Sequence, residues 1–175
     1  SRVEAMRELF KEKTTFNAQL NWDTSKVTDM MATFWGAEAF NRPLAWDTSQ
    51  VTDMGEMFKN AQQFNQYIGD WDTSQVGKMS QMFNGAINFN QNINTKDNGD
   101  GTSCWNVSGV SVMNTMFKNA TSFNHDIGNW DTSGVTTITH IFNNATSFNQ
   151  DISSWTTSGI TNMKGMFYDA SGFNR

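Results

Sequence analysis

Leucine is nearly missing from this chain of 175 residues, occurring only at Leu9, Leu20 and Leu44, and there is a single cysteine, Cys104. A lone cysteine excludes a disulfide within the chain and a thiolate metal cluster, and it leaves the redox compartment open. Histidine is limited to His125 and His140. Neither has a serine elbow, a cysteine partner or metal-ligand spacing around it, so both read as surface variation. No apolar run approaches the roughly 18 residues needed to cross a bilayer, so no direct membrane insertion is expected of this segment. Basic residues are outnumbered, 12 Lys and Arg against 17 Asp and Glu, for a net charge of −5 and a pI near 4.8. Without a basic stripe to neutralise phosphates, nucleic acid and anionic membrane surfaces are disfavoured as partners. No catalytic constellation stands out among the acids, and a non-enzymatic protein is expected.

Aromatic and sulfur-bearing residues fill the gap. The chain has 14 Phe, 11 Met and 7 Trp, wide polarizable side chains that can build a core where leucine cannot. Their order is periodic. The phrase Trp22-Asp-Thr-Ser-Lys-Val27 returns in related form at Trp46, Trp71, Trp105, Trp130 and Trp155, and seven Phe-Asn pairs fall at intervals of 24, 24, 25, 34, 25 and 25. A period of this length is the mark of stacked coils, and its run from end to end predicts one repeat domain over 1–175. The single long interval is a normal repeat carrying a surface insertion at 94–103, where Asn-Gly and Asp-Gly pairs suggest a loop or hairpin. The chain stops part-way through a repeat at Phe173-Asn174-Arg175, as a segment of a longer protein would.

Within a repeat, apolar residues follow Val51 at Met54, Met57, Phe58, Ala61 and Phe64. At about 100° per residue they share one arc, the pattern of an amphipathic helix. Thr-Ser ahead of it and Asp29 or Asp53 in the first turn suit a helix start. A variant reading keeps Val-Thr-Asp-Met extended ahead of a shorter helix. The stretch Asn65 to Trp71 is too short for a second helix and is read as a strand. The predicted fold is therefore an α/β solenoid: a leucine-rich-repeat-like curved stack of about seven coils, each with one short parallel strand and one helix. Residues 1–17, with charges from Arg7 to Lys13, are expected to form an N-terminal helical cap-like unit.

The repeat wording, W-D-T-S-x-V-T-x-M-x-x-M-F-x-x-A-x-x-F-N-x-x-I, resembles the tandem repeat of mycoplasma-type lipoproteins and other microbial surface proteins, related to BspA-like leucine-rich repeats. The likeness runs from Val3 to Asn174, with departures at Asn106-Val107, Thr156 and Gly77. It implies a leucine-rich-repeat-like solenoid, cell-surface or secreted placement, and adhesion or recognition roles.

Several columns invite a chemical reading. The Asn after each Phe is expected to satisfy backbone groups of the turn and the next coil as an internal ladder. Asp23, Asp47, Asp72 and Asp131 read as Asx-type turns, with a calcium ladder as the competing reading. In the insertion, Asp97, Asn98 and Asp100 echo part of a calcium loop, but no Glu closes the coordination, so no metal and no cofactor is the first reading and calcium the second. Thr24, Thr48, Thr73, Thr132 and Thr157 form a column such as flat water-ordering surfaces use. Aromatics beyond the repeat's needs, Trp35, Tyr67 and Tyr168, are candidate contact anchors, and Arg42-Pro43 departs from the Gln-Asp type of pair in its place. These residues point to a recognition or adhesion module binding a protein or glycan through variable outward side chains. The alternative is a spacer or assembly scaffold, self-associating through an uncapped C-terminal coil that exposes Phe167, Ala170 and Phe173.

Overall fold

The computed structural model describes residues 3–97, 99 and 103–175. Among them there is no helix, and the two strands are short: β1 (Lys96–Asp97) and β2 (Ser103–Cys104), paired antiparallel with Lys96 opposite Cys104. The predicted α/β solenoid with a helix in every coil is thus overturned, and with it the helical N-terminal cap. No helix among the described residues is long and apolar enough to cross a membrane.

In place of the helix stands a ladder of turns. Take the coils as beginning at Val3, Val27, Val51, Val76, Val110, Val135 and Ile160, and number positions from those residues. In the Val51 coil the amides of Met57, Lys59 and Ala61 donate three residues back, to Met54, Glu56 and Phe58. The amides between them leave the coil: those of Met54, Glu56, Phe58 and Asn60 donate to the carbonyls of Lys78, Ser80, Met82 and Asn84 in the next one. Half of the backbone donors therefore close local turns and half bond the stack, so this segment's polar groups are satisfied without a helix. The alternation requires left-handed backbone at positions +5 and +9. Both are left-handed in each coil, as at Glu56 (φ 57), Asn60 (φ 58), Gln81 (φ 61) and Gly85 (φ 74). The unit at 3–17 follows the same rule through Glu8 (φ 56) and Glu12 (φ 59).

The predicted strand at Asn65–Trp71 is also absent. Parallel pairing sits instead at position +2, as single-residue bridges running Ala5, Asp29, Asp53, Lys78, Val112, Thr137 and Asn162. This is the Val-Thr-Asp-Met segment, which the variant reading left extended. Asn65–Trp71 is held by side chains: Asn65 N–H donates to Asn41 Oδ1 at 3.0 Å, Asn90 N–H to Asn65 Oδ1 at 2.9 Å, and the chain of bonds continues from Asn17 to Asn174. The expected asparagine ladder is present, with its oxygen serving the backbone of the next coil.

The apolar columns meet inside as the periodicity required. Phe58 lies 5.6 Å from Phe34 and 5.8 Å from Phe83, ring centroid to centroid, and 3.9 Å from Phe64 in its own coil. One buried cluster runs from Met6 to Trp155. The repeat tryptophans form a third column, in which the indoles of Trp71, Trp105, Trp130 and Trp155 donate to the preceding coil, as Trp71 to Leu44 O and Trp130 to Ile93 O. The threonine column is buried rather than displayed: Thr48 is 2% exposed, and its hydroxyl donates to Asp72 O at 2.8 Å. A water-ordering surface at Thr24, Thr48, Thr73 and Thr132 is thereby overturned.

Candidate recognition surface

The turn column of aspartates accounts for its own charge. Asp47 Oδ1 accepts from Ser49 N–H at 3.0 Å and from Ser49 Oγ at 2.7 Å, and Asp23, Asp72 and Asp131 accept from the amides of Ser25, Ser74 and Ser133. The hydroxyl of the neighbouring serine, then its amide, holds Asp23, Asp47 and Asp131 below the usual carboxylate range. A carboxylate with a depressed folded value favours the folded state above the ordinary range, and this contribution is lost as pH falls through the lowered value. Ser49→Ala should therefore lower the melting temperature at neutral pH, and the gap to the parent should narrow as pH falls through the lowered value of Asp47 and the carboxyl becomes protonated in both states. Thermal melts across this range check it, and an undiminished gap in acid would contradict it.

In the insertion, Asp97 accepts from Gly99 N–H at 2.7 Å, an Asx turn, while Asn98 and Asp100 lie outside the described residues. Among the described residues, no three His, Cys, Asp or Glu side chains are grouped to hold a metal ion.

The four anchor candidates fall in different surroundings. Trp35 is half-buried and covered on its ring: Lys11 Nζ lies 4.1 Å and Lys59 Nζ 4.5 Å from the centroid, with those lysines paired to Glu8 and Glu56. The indole is held in a cationic sandwich built by its own neighbours. Arg42 is exposed, and its Nε donates to Asn17 O at 2.9 Å, the role that Gln91 and Gln150 play in later coils. Tyr168 is 65% exposed in the coil beginning at Ile160. Tyr67 is 52% exposed, with its ring lying against Gly69 and its hydroxyl donating to Asp70 Oδ1 at 2.9 Å.

Tyr67 lines a cleft. The hollow, about 460 Å³, is bounded by Pro43, Leu44, Trp46, Tyr67, Ile68, Asp70 and Trp71. It lies where linkers of unequal length meet: five residues stand between Phe40 and Trp46, and six between Phe64 and Trp71. Asp70, which the sequence reading passed over, ties the rim together by accepting from both Tyr67 and Lys96 Nζ (3.4 Å) of β1. Its signal was available, since the residue before Trp is Asn21, Ala45, Cys104, Asn129 or Ser154 in the other copies and charged only here. The buried Nε1 of Trp46 has no partner.

A second hollow, about 450 Å³, follows the bridge column and is lined by Arg7, Asp53, Gly55, Gly77 and Lys78. Its charges neutralise one another: Arg7 pairs with Asp29 at 2.7 Å and Lys78 with Asp53 at 3.2 Å.

Comparison with known proteins adds the family. The model for a family described as "Mycoplasma protein of unknown function, DUF285" matches residues 1–96 and again 94–175. The chain belongs to the DUF285 family. The two successive matches agree with the tandem repetition, and the mycoplasma-type resemblance holds at this level. No curated protein and no solved structure matches the chain. The DUF285 description assigns no activity, so the function rests on the surface itself.

Proposed function

We propose that this chain is a non-enzymatic recognition module of the cell surface or a secreted protein, binding a protein or glycan at the Tyr67 cleft. The observation that carries the reading is a half-exposed tyrosine braced by Gly69 and Asp70 at the mouth of a hollow with buried indoles in its walls. A rigid aromatic anchor that loses little freedom on contact is a common source of binding energy. Trp35 supports its neighbours through its lysine sandwich and Arg42 supports the asparagine ladder, while of the two exposed tyrosines Tyr67 is the one placed beside the hollow with buried indoles in its walls. A relation to BspA-like leucine-rich repeats belongs to this proposal on the wording of the repeat alone. Nucleic acid fits poorly because of the net charge of −5.

The test is retention on protein and glycan arrays. Tyr67→Ala should reduce a retained signal at least tenfold, with an unchanged thermal melt, whereas Trp35→Ala should lower the melt and leave retention in place. Retention unaffected by Tyr67→Ala would reject the cleft. The second reading is a spacer or assembly scaffold.

A further inference from the structure

On the reading of the Tyr67 cleft as a binding surface, we infer that its occupant is an arginine side chain of a partner protein, with its stem in the hollow and its guanidinium between the Tyr67 ring and Asp70. Three departures from the repeat meet at this point. Tyr67 stands where other coils have Gln19, Pro43, Asn92, Asp126 or Asp151, Asp70 is the charged residue before a repeat tryptophan, and Lys96 belongs to the insertion that other coils lack. Tyr67 O–H and Lys96 Nζ donate to Asp70 Oδ1 at 2.9 and 3.4 Å, and the Cys104 thiol of β2 donates to Asp70 O at 3.4 Å. Residues that the stack does not require are thus gathered at one mouth.

Their chemistry selects a cation. The Asp70 side chain is 64% exposed, and its Oδ2 takes no hydrogen bond from a described residue, so a carboxylate oxygen stands open at the rim. The Tyr67 ring carries no lysine or arginine over its face among the described residues. Behind them Leu44, Ile68 and the indoles of Trp46 and Trp71 line the hollow, a wall for the methylenes of a long basic side chain whose head stays at the wet rim. The chain shows the same combination satisfied internally at Trp35, where Lys59 lies 4.5 Å over the indole and pairs with Glu56 at 2.9 Å. There an aromatic face, an acid and a basic head make one unit. At Tyr67 the face and the acid are present, and the head comes from outside. Lys96 meets the acid without covering the ring, in an exposed pair that holds Asp70 weakly. Arginine is favoured over lysine because its planar head can stack on the ring and reach both carboxylate oxygens. A sugar would find fewer open polar groups, since Gln66 Nε2 already donates to Asn41 Oδ1 and Asp70 Oδ1 is shared.

Peptide arrays in which every arginine peptide is paired with its citrulline copy, uncharged and nearly the same shape, test the assignment, with neutral glycans printed alongside. Retained signal should concentrate on arginine peptides and weaken as salt rises. It should fall by about tenfold or more on citrulline exchange and in Asp70→Asn, which removes the charge but keeps an acceptor for Tyr67. In Lys96→Ala, where the internal competitor is gone, it should strengthen. Both positions are exposed, and unchanged melts confirm that the variants fold. Retention that survives citrulline exchange or Asp70→Asn would overturn the arginine assignment, as would a loss of signal in Lys96→Ala or a parent that retains no arginine peptide. Tyr67-dependent retention of a neutral glycan would overturn it while leaving the cleft in place. Arginine-dependent retention indifferent to Tyr67→Ala would reject the cleft and the inference with it.

Discussion

Replacing Phe83 with alanine should cost about 3–5 kcal/mol, the range for removing a buried ring from a core that relaxes only in part. The residue sits at the centre of both packing directions. Its ring lies 5.8 Å from Phe58 and 5.6 Å from Phe117 along the stack, and 4.0 Å from Phe89 within the coil. Phe83 is fully buried. Phe167 holds the same column position in the last coil but is half-buried, with neighbours on one side only. Phe167→Ala should therefore cost less than half as much, roughly 1–2 kcal/mol from the smaller area removed from water. Because each coil touches mainly its neighbours, the interior loss should also loosen the link between the two halves. Urea unfolding followed by tryptophan fluorescence gives the two costs, and hydrogen exchange shows where the amides open first. Equal costs at Phe83 and Phe167 would mean that the Phe column is not the continuous interior described above.

The columns were legible in the sequence because burial leaves a direct trace in residue type. Val51, Met54, Met57, Phe58, Ala61 and Phe64 are all fully buried, as their spacing required. Their conformation was not legible, for a specific reason. A run of turns that each close three residues back brings inward side chains round at steps of three and four, the same steps a helix uses, so hydrophobic periodicity cannot separate the two. Backbone chemistry could have. Position +9 holds Glu12, Gly36, Asn60, Gly85, Asn119, Asn144 and Asp169, a column rich in residues that tolerate left-handed backbone and poor in helix formers. The site was less legible than the fold. Tyr67 was singled out as an aromatic beyond the needs of the repeat, but the cleft beside it depends on a one-residue difference in linker length, and Trp35 gave no sign in sequence that two lysines would cover its ring.

Two substitutions at the left-handed positions should move stability in opposite directions, each opposite to what a helix would give. Gly85 has φ +74, and a Cβ placed there would fall on Asn60 Oδ1 of the preceding coil. Gly85→Val adds a β-branched side chain to a backbone region costing about 1–3 kcal/mol for non-glycine residues, together with that clash, so a loss of about 3 kcal/mol or more is expected. In a helix the same change would be mildly favourable, since glycine is the poorer helix former. Thr115 is the mirror case: a β-branched residue held at φ 54, with its hydroxyl donating only to the adjacent Asn114 O at 2.8 Å. Thr115→Gly relieves left-handed strain of about 1–2 kcal/mol and adds unfolded-state entropy of about 0.5–1 kcal/mol, for a net gain of up to roughly 1 kcal/mol. A helix would lose stability there. Chemical denaturation of the pair decides between the two backbones by sign, without reliance on magnitude: Gly85→Val stabilising with Thr115→Gly destabilising would restore the helix, and the reverse follows only if alternate amides leave the coil to bond its neighbour.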